Sequence, residues 1–470
     1  MEKQNNSTLI MMLATHIFRS EIEKNVAERL EHPYKQDICG DEVDLKAINK
    51  ELKKSEKRSV LKTTLYFLVT MTLVVAAVVD ASTYSHWIET VVFPAYFIIF
   101  LIEWIYGLKA KRRIREILAE IDSARGTFAS ENASTTSETC KTNSNNIVIY
   151  GGYSPFLGAG IDLDSWSFPI NLAEAGDTNK PIEQVTPSDM HAWIKSHLQK
   201  LNIPDIEICE QIFTNGKNAS LFKELLPKGK SQKPLTHFSE ASLAEKMFSN
   251  DNDMRHYTRV KIPMWDTQLT ISMFFRLLVV NNNLFVESRF FLLMPLKKKY
   301  RQLTNLPAKR RKNELINGIV SAAITAPFKC ALSTFNVFNL LIGNDISIDR
   351  MRKTWREELE DNRFYNYGWK TTLREQWAST TFESYFQQID QDLNLKLLTN
   401  EFLDSVLTFL DSKNVSTERF KQTSTKIINE GVMISGGEVK TDSLAVGKSA
   451  NIVTNAVNNA VNKVQGDKAA

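Results

Sequence analysis

Two uninterrupted apolar stretches lie near the start of an otherwise charged sequence. The first covers residues 61–79 and the second residues 91–108, and each is long enough to cross the ~30 Å hydrocarbon core of a bilayer as a helix. Two buried core helices are the alternative, but helices of soluble cores usually keep a polar stripe, which residues 65–79 lack. The pattern therefore predicts a two-helix transmembrane hairpin over residues 59–108.

The charges around this hairpin predict its orientation. Residues 80–90, between the two apolar stretches, contain no Lys or Arg, whereas such residues gather at both outer ends, in residues 46–62 and 109–115. Positively charged segments stay on the cytoplasmic side of a membrane. We therefore expect a multi-pass protein of the bacterial inner membrane with both termini in the cytoplasm.

Alternating apolar positions after residue 147 predict an α+β domain with an antiparallel sheet, cytoplasmic like the termini. Within this domain we expect a hairpin turn at Asn281 to Asn283, since Asn tolerates turn geometry. The predicted segments are a cytoplasmic helical segment (1–58), the hairpin (59–108), a juxtamembrane helix with a Ser/Thr/Asn-rich linker (109–146), the α+β domain (147–312), a mainly helical C-terminal region (313–428), and a Gly-punctuated β tail with a short helix (429–470).

A third apolar stretch, residues 314–343, is interrupted by Pro327 and Lys329. A lysine at the centre of a transmembrane helix costs ~3 kcal/mol on insertion scales. The interruptions therefore favour a buried or interfacial helix pair, with a third membrane crossing as the alternative.

Composition narrows the class of protein. A mean hydropathy of −0.25 and 24% charged residues exclude a polytopic transporter, and the net charge of +4 indicates no particular partner. The four cysteines lie far apart, so we expect separate thiols, as in a reducing compartment, and neither a metal site nor a redox motif. Because no catalytic motif is present either, the sequence predicts no enzyme and no cofactor. A membrane-tethered enzyme with a pocket at residues 150–168 is the alternative.

Glu103 is the one acidic residue inside the second apolar stretch. An ionisable group at this depth is a functional candidate, and in a homo-oligomer it could line a pore. Alternatively it snorkels to the interface, because Lys109 follows six residues later, ~9 Å along the helix.

A glycine-rich stretch follows the first predicted strand of the α+β domain. Its candidate ligand-binding residues are Tyr150, Gly151, Gly152, Tyr153, Ser154, Gly158 and Gly160. Backbone N–H groups of such glycines can cradle a phosphate, but the glycines can equally permit a tight turn. Asp162 and Asp164 are a weak indication of a cation site, and the identity of any small-molecule ligand stays open.

A basic run precedes the third apolar stretch. Its members with a predicted surface role are Lys297, Lys298, Lys299, Arg310 and Arg311. Such a run can contact anionic lipid or nucleic acid, or it can be a solvated loop. Because the hairpin keeps this segment close to the bilayer, lipid is the more economical expectation.

Five stretches resemble a family of uncharacterised bacterial two-helix membrane proteins that is common in actinobacteria. They are YGGYSPFLGAG (150–160), LFVESRFFLLMPL (284–296), NYGWKTTLREQWA (366–378), FLDSKNVSTERF (409–420) and IINEGVMISGGEVKTDSLAVG (427–447). The resemblance covers most of residues 147–453, and the family has no established catalytic residues to transfer.

In plan, the chain is also similar to transmembrane effectors of anti-phage systems such as retrons. That resemblance implies an inner-membrane effector that disrupts the membrane and arrests infected cells, with a reverse transcriptase–nucleic acid complex encoded nearby as partner. The alternative is a membrane-tethered scaffold that recruits a cytoplasmic partner.

Overall fold

The computed structural model describes residues 6–36, 43–79, 91–128, 145–307, 312–341 and 348–430. The chain forms two compact units. The helical unit comprises residues 1–33, 42–134 and 298–363, and the sheet unit comprises residues 34–41, 135–297 and 364–470.

The helices of both units are numbered in chain order. They are α1 (Asn6–Ala14), α2 (Arg19–Glu31), α3 (Leu45–Val79), α4 (Phe93–Phe128), α5 (Pro187–Lys200), α6 (Glu240–Met247), α7 (Lys298–Arg301), α8 (Lys312–Leu341), α9 (Ile348–Asp361), α10 (Leu373–Gln376), α11 (Tyr385–Ser412) and α12 (Glu418–Glu430).

Three helices of the helical unit are long and apolar enough to cross a membrane: Leu45–Ala76 of α3, Phe93–Glu120 of α4 and Lys312–Leu332 of α8. Large apolar side chains on all three are exposed, among them Val74, Phe93 and Phe328. Exposed apolar surface on this scale is what a helix shows when lipid is its solvent. The chain therefore carries three candidate membrane helices.

The expected helix pair over residues 314–343 is wrong, because α8 is one continuous helix with Pro327 inside it. Proline has no N–H, so the carbonyl of Ala323, four residues earlier, loses its helical partner. Tyr96 of α4 replaces it, since its hydroxyl donates to that carbonyl oxygen at 2.7 Å. The neighbouring helix thus satisfies the group that the proline frees, which is how membrane helices tolerate proline.

Helix α8 packs antiparallel along α4, and α3 packs against both. At one end of the α4–α8 contact, Glu314 pairs with Lys111 and Arg115; further along, Lys329 pairs with Glu103. The three apolar helices therefore form one bundle.

The sheet unit contains six strands in the order β1-β3-β4-β5-β6-β2. They are β1 (Ile147–Tyr150), β2 (Ile161–Asn171), β3 (Glu207–Asn215), β4 (Met254–Met264), β5 (Leu269–Val280) and β6 (Asn283–Leu293). Neighbours pair antiparallel, except β1 and β3, which are parallel. Asn281 and Asn282, with φ of 51° and 59°, form the expected turn between β5 and β6. The mixed α and β content is as predicted.

Each face of the sheet is covered differently. On one face, Phe275 and other strand residues pack against Ile194 of α5 and Phe402 of α11. On the other face, Phe156, from the glycine-rich stretch, lies 4.5–5.0 Å between ring centroids from Phe274 and Phe291. The stretch after β1 is therefore part of the hydrophobic core.

The cysteines depart from the expectation of four separate thiols. Cys330 is a buried free thiol in α8, but Cys209 in β3 is disulfide-bonded. The inference of a reducing compartment from the cysteines alone is therefore weakened.

Two backbone segments approach each other closely, which explains why both contain glycine. Tyr150 forms a parallel bridge with Trp369, and the N–H of Gly151 donates to the carbonyl oxygen of Trp369 at 2.6 Å. A Cβ on Gly368 would lie 2.3 Å from the carbonyl carbon of Tyr150, where no side chain fits. The glycines of YGGY and NYGW therefore allow these two stretches to meet.

We expect Gly368→Ala to lower the free energy of unfolding of the full-length protein by ~1–3 kcal/mol, the usual cost of overpacking. Thermal unfolding in detergent micelles measures the change. Gly176→Ala is the matched control, because the nearest atoms to its added Cβ lie at 3.5–3.8 Å, ordinary contact distance. Equal melting temperatures for the two variants would contradict the steric argument.

Candidate functional site

Glu103 is buried at the centre of the three-helix bundle. Its carboxylate accepts a hydrogen bond of 2.6 Å from the hydroxyl of Tyr66 and forms ion pairs with the ammonium groups of Lys62 and Lys329. Lys62 and Tyr66 belong to α3, and Lys329 belongs to α8. We call these four residues the Glu103 cluster.

Neither predicted role of Glu103, lining a pore or snorkelling to the interface, includes the partners that it has in this cluster. In this chain the carboxylate faces its own helices, with 7% of the residue exposed, and not the aqueous interface at Lys109. A role in an oligomeric pore stays a prediction.

The cluster also changes the argument against placing α8 in a membrane. The insertion cost of Lys329 applies to a lysine without a partner, whereas Lys329 here shares a carboxylate with Lys62. Charges inside membrane proteins are normally paired and face a bundle interior. Sequence reasoning missed the pairing because it treated Glu103 and Lys329 separately.

The glycine-rich stretch binds an anion, and that anion belongs to the chain itself. Gly158 and Gly160 have φ of +82° and +93°, and their N–H groups donate to Oε1 of Glu375 at 2.9 and 3.0 Å. The other carboxylate oxygen accepts from the N–H of Thr372 and the hydroxyl of Thr371. Glu375 therefore fills the cradle that the sequence offered to a phosphate, which favours the structural alternative.

The other residues of that stretch do not converge on one point. Tyr150 lies in β1, Gly151 and Gly152 pack against the segment around Gly368 and Lys370, and Tyr153 is fully exposed. Ser154 and Gly160 line a cavity of about 310 Å³ together with Lys370, Thr371 and Glu375. This cavity is one place in the described part of the sheet unit where a small molecule could lie.

Asp162 and Asp164 lie on either side of a register shift in β2. Asp162 is 3.7 Å from the guanidinium of Arg289, and burial raises the pKa of both carboxyls. Among the residues that the structure describes, no group of three or more His, Cys, Asp and Glu side chains could hold a metal ion.

The residues of the predicted basic surface differ in what they contact. Lys297 donates to the carbonyl oxygen of Gln376 at 2.9 Å, and Lys299 pairs with Glu21 at 2.6 Å. Lys298 is exposed, whereas Arg310 and Arg311 lie outside the described residues. Since Lys299 already pairs with an acidic side chain, less charge is available to a membrane or nucleic acid than the run suggested.

A buried polar cluster in the sheet unit has no sequence signature. Oε2 of Glu210 (β3) lies 2.8 Å from the hydroxyl of Thr258, 3.0 Å from Nε2 of His256 and 3.4 Å from Nε2 of His191. Lys195 pairs with Oε1 at 3.1 Å. These residues come from α5, β3 and β4, so a search for close histidine pairs could not find them. Thr258 is fully buried, and the cluster joins α5 to β3 and β4.

Proton binding to this cluster opposes folding. Burial disfavours the ionised form of Glu210, but hydrogen bonds and charge from His191 and His256 outweigh it and lower the pKa of the carboxyl. Burial lowers the pKa of His256, against the hydrogen bond with Glu210. Both groups therefore bind fewer protons in the folded chain than in the unfolded chain, so stability falls as pH falls.

We expect the full-length protein to lose stability as the pH drops below 6.5, where unfolded His256 gains its proton, and again below 4.5, where unfolded Glu210 does. Glu210→Gln should cost ~1.5–3 kcal/mol at pH 7, because charge-assisted hydrogen bonds are lost, and should flatten the decline below pH 4.5. Melting temperatures in micelles, measured from about pH 7 down to about pH 3, report both effects. Glu183→Gln, at an exposed ion pair with Lys413, is the control. Parallel curves for wild type and Glu210→Gln would contradict this linkage.

The comparisons with known proteins concern mainly the sheet unit. A family model described as an AbeC-like domain matches residues 165–440, more than half of the 470-residue chain. No curated protein and no solved structure matches the chain. The resemblance to actinobacterial two-helix proteins and to retron effectors thus stays a prediction. The match assigns the chain to the family of proteins with an AbeC-like domain.

Proposed function

We propose that this protein is an inner-membrane effector of bacterial anti-phage defence, which disrupts the membrane and arrests the growth of infected cells. The observation that carries the proposal is the presence, in one chain, of three helices fit to cross a membrane and an AbeC-like domain. The family name suggests abortive infection, the defence in which an infected cell stops growing before the phage matures. A retron-type reverse transcriptase complex is one candidate partner.

Membrane disruption would require several copies of the chain. Two or three helices cannot enclose a water path by themselves, so we expect a homo-oligomer in the active state. In the structure, Lys62 and Lys329 neutralise Glu103, and a pore lined by this carboxylate would first have to separate it from Lys329. Helix α8 would then hold the inactive state, and its release would be the activating step.

The second candidate, a membrane-tethered scaffold, is supported by one surface. The N-terminal half of α11 exposes an apolar stripe formed by Tyr385, Phe386, Ile389, Leu393 and Leu397. Exposed apolar patches often bind other proteins. A scaffold would bind its partner here without changing the permeability of the membrane.

The contacts of α9 support an even number of membrane crossings between the end of α2 and the start of α9. Arg352 of α9 pairs with Glu31, and the ring of Trp355 lies 4.4 Å from that of His32. Helix α9 and the end of α2 therefore lie on the same side of any membrane that α3 and α4 cross. We propose that α3 and α4 cross fully, and that α8 enters the membrane beside them. The disulfide at Cys209 opposes a cytoplasmic sheet unit, because cytosol keeps thiols reduced.

Single cysteines in a cysteine-free background measure this topology. We expect an impermeant thiol reagent to label Ser82→Cys and Ser85→Cys from outside the cell, but neither Ser130→Cys nor Ser412→Cys, because positive charge flanks only the inner ends of the hairpin. Labelling of the last two after permeabilisation is the control. Outside labelling at position 412 with none at 130 would instead establish a full third crossing, and outside labelling at 130 and 412 with none at 82 or 85 would invert the orientation.

The function is tested by expressing the protein with its genomic neighbours in a bacterial host under phage challenge. We expect fewer plaques than with empty vector, and loss of membrane potential in infected cells, measured by dye uptake. Unchanged plaque counts and an intact potential in cells that contain the protein in their membrane fraction would contradict the effector function. A fall in plaque counts without depolarisation would favour the scaffold.

Two substitutions test the Glu103 cluster. Lys329→Met should depolarise cells without infection, because α8 loses its ion pair with Glu103 of α4. Glu103→Gln should alter ion selectivity or abolish toxicity without lowering the amount of protein in the membrane. Glu116→Gln, at an exposed position of the same helix, should behave as wild type. Wild-type behaviour of all three variants would remove the cluster from the mechanism.

A further inference from the structure

Helices α4 and α8 do not pack tightly along their whole length. Between them lies a cavity of about 360 Å³, lined among others by Glu103, Trp104 and Gly107 of α4 and by Gly318 and Ser321 of α8. A Cβ added to Gly107 would meet no atom within 4 Å, so the cavity continues up to the backbone of α4. Glycine at this position leaves the space open.

Positive charge surrounds this cavity. Lys329 and Lys111 both line it, and Arg115 lies beside Lys111 at the pair that both form with Glu314. With Lys62 on Glu103, four cations share two carboxylates. A net positive site between helices attracts an anion.

A hydrogen-bond donor in the cavity wall has no partner. Nε1 of Trp104 is buried, and no acceptor within the described part of the chain lies in reach of it. Buried indole N–H groups normally find a partner. Trp104 therefore keeps an unused hydrogen-bond donor in the wall of the cavity.

The position of the cavity along α4 favours a lipid over a soluble anion. Lys111 follows the apolar stretch that ends at residue 108, at the depth where headgroups of the inner leaflet lie. Towards the bilayer, exposed Ile105 and Val320 continue the apolar surface of the two helices. A molecule that fits both parts has a phosphate at one end and acyl chains at the other.

We infer that the cavity between α4 and α8 binds the headgroup of an anionic phospholipid, with Lys111 facing its phosphate and with Trp104 and Lys329 lining the deeper part of the same cavity. This inference rests on the membrane insertion of α4 and α8 proposed above. Occupancy by lipid couples the contact between α4 and α8 to the lipid composition of the inner leaflet.

The test uses the full-length protein in vesicles of zwitterionic phosphatidylcholine. Increasing amounts of phosphatidylglycerol, brominated near the headgroup end of its acyl chains, are then added. Bromine quenches nearby tryptophans, and the difference between wild type and Trp104→Phe isolates Trp104 among the eight tryptophans. We expect saturable quenching of Trp104 by the anionic lipid, and weaker quenching by brominated phosphatidylcholine.

Variants locate the site. Lys111→Gln should weaken binding ~5-fold, as expected for one cation at an anionic surface. Gly107→Leu should abolish saturable quenching by filling the cavity, whereas Ala119→Leu, a similar enlargement at an exposed position of α4, should leave it unchanged. Equal quenching by both lipids, or binding that neither Lys111→Gln nor Gly107→Leu changes, would overturn the inference.

Two further measurements separate the alternatives. Inorganic phosphate or glycerol phosphate that displaces the quenching at low millimolar concentration would assign the site to a soluble anion and overturn the lipid. Flotation with vesicles tests insertion independently. Wild-type protein that floats with neither vesicle composition contradicts the proposed membrane insertion, whereas protein that floats with both, without selective quenching, contradicts only the lipid site.

Discussion

The helical unit depends on one carboxylate that three side chains share. Lys62, Lys329 and Glu103 all lie on helices whose surroundings are apolar, where a charge without a partner is costly. Together they reduce that cost, and Tyr66 supplies a further hydrogen bond. Because Lys329 contributes from α8, the pairing makes this helix a partner of the hairpin, and the three helices are expected to assemble as one element.

The sheet unit shows the same principle of internal satisfaction. Backbone N–H groups of Gly158 and Gly160 form an anion cradle, and Glu375 fills it. Glu210 is likewise surrounded by donors from α5 and β4. Sites that resemble binding sites in the sequence therefore contribute to folding here, and the close approach at Gly368 explains why glycines accompany them.

Local sequence patterns predicted those structural features that depend on residues close together in the chain. The apolar helices α3 and α4, the mixed α and β content and the turn at Asn281 follow from length, alternation and turn chemistry. The decisive contacts join distant residues, since Lys329 lies 226 positions from Glu103, and Glu375 lies 217 from Gly158. Periodicity carries no information about such pairs. The continuity of α8 across Pro327 was missed for the same reason, because it depends on Tyr96 of another helix.

The charges of the bundle do not balance within the Glu103 cluster itself. Two ammonium groups share one carboxylate, so one positive charge remains, and Glu314 already pairs with Lys111 and Arg115. An apolar environment favours compensation of that charge by an anion close by. The open cavity beside Trp104 offers such an anion a place next to Lys329. The strength with which α8 is held should therefore depend on what occupies this cavity as well as on Glu103.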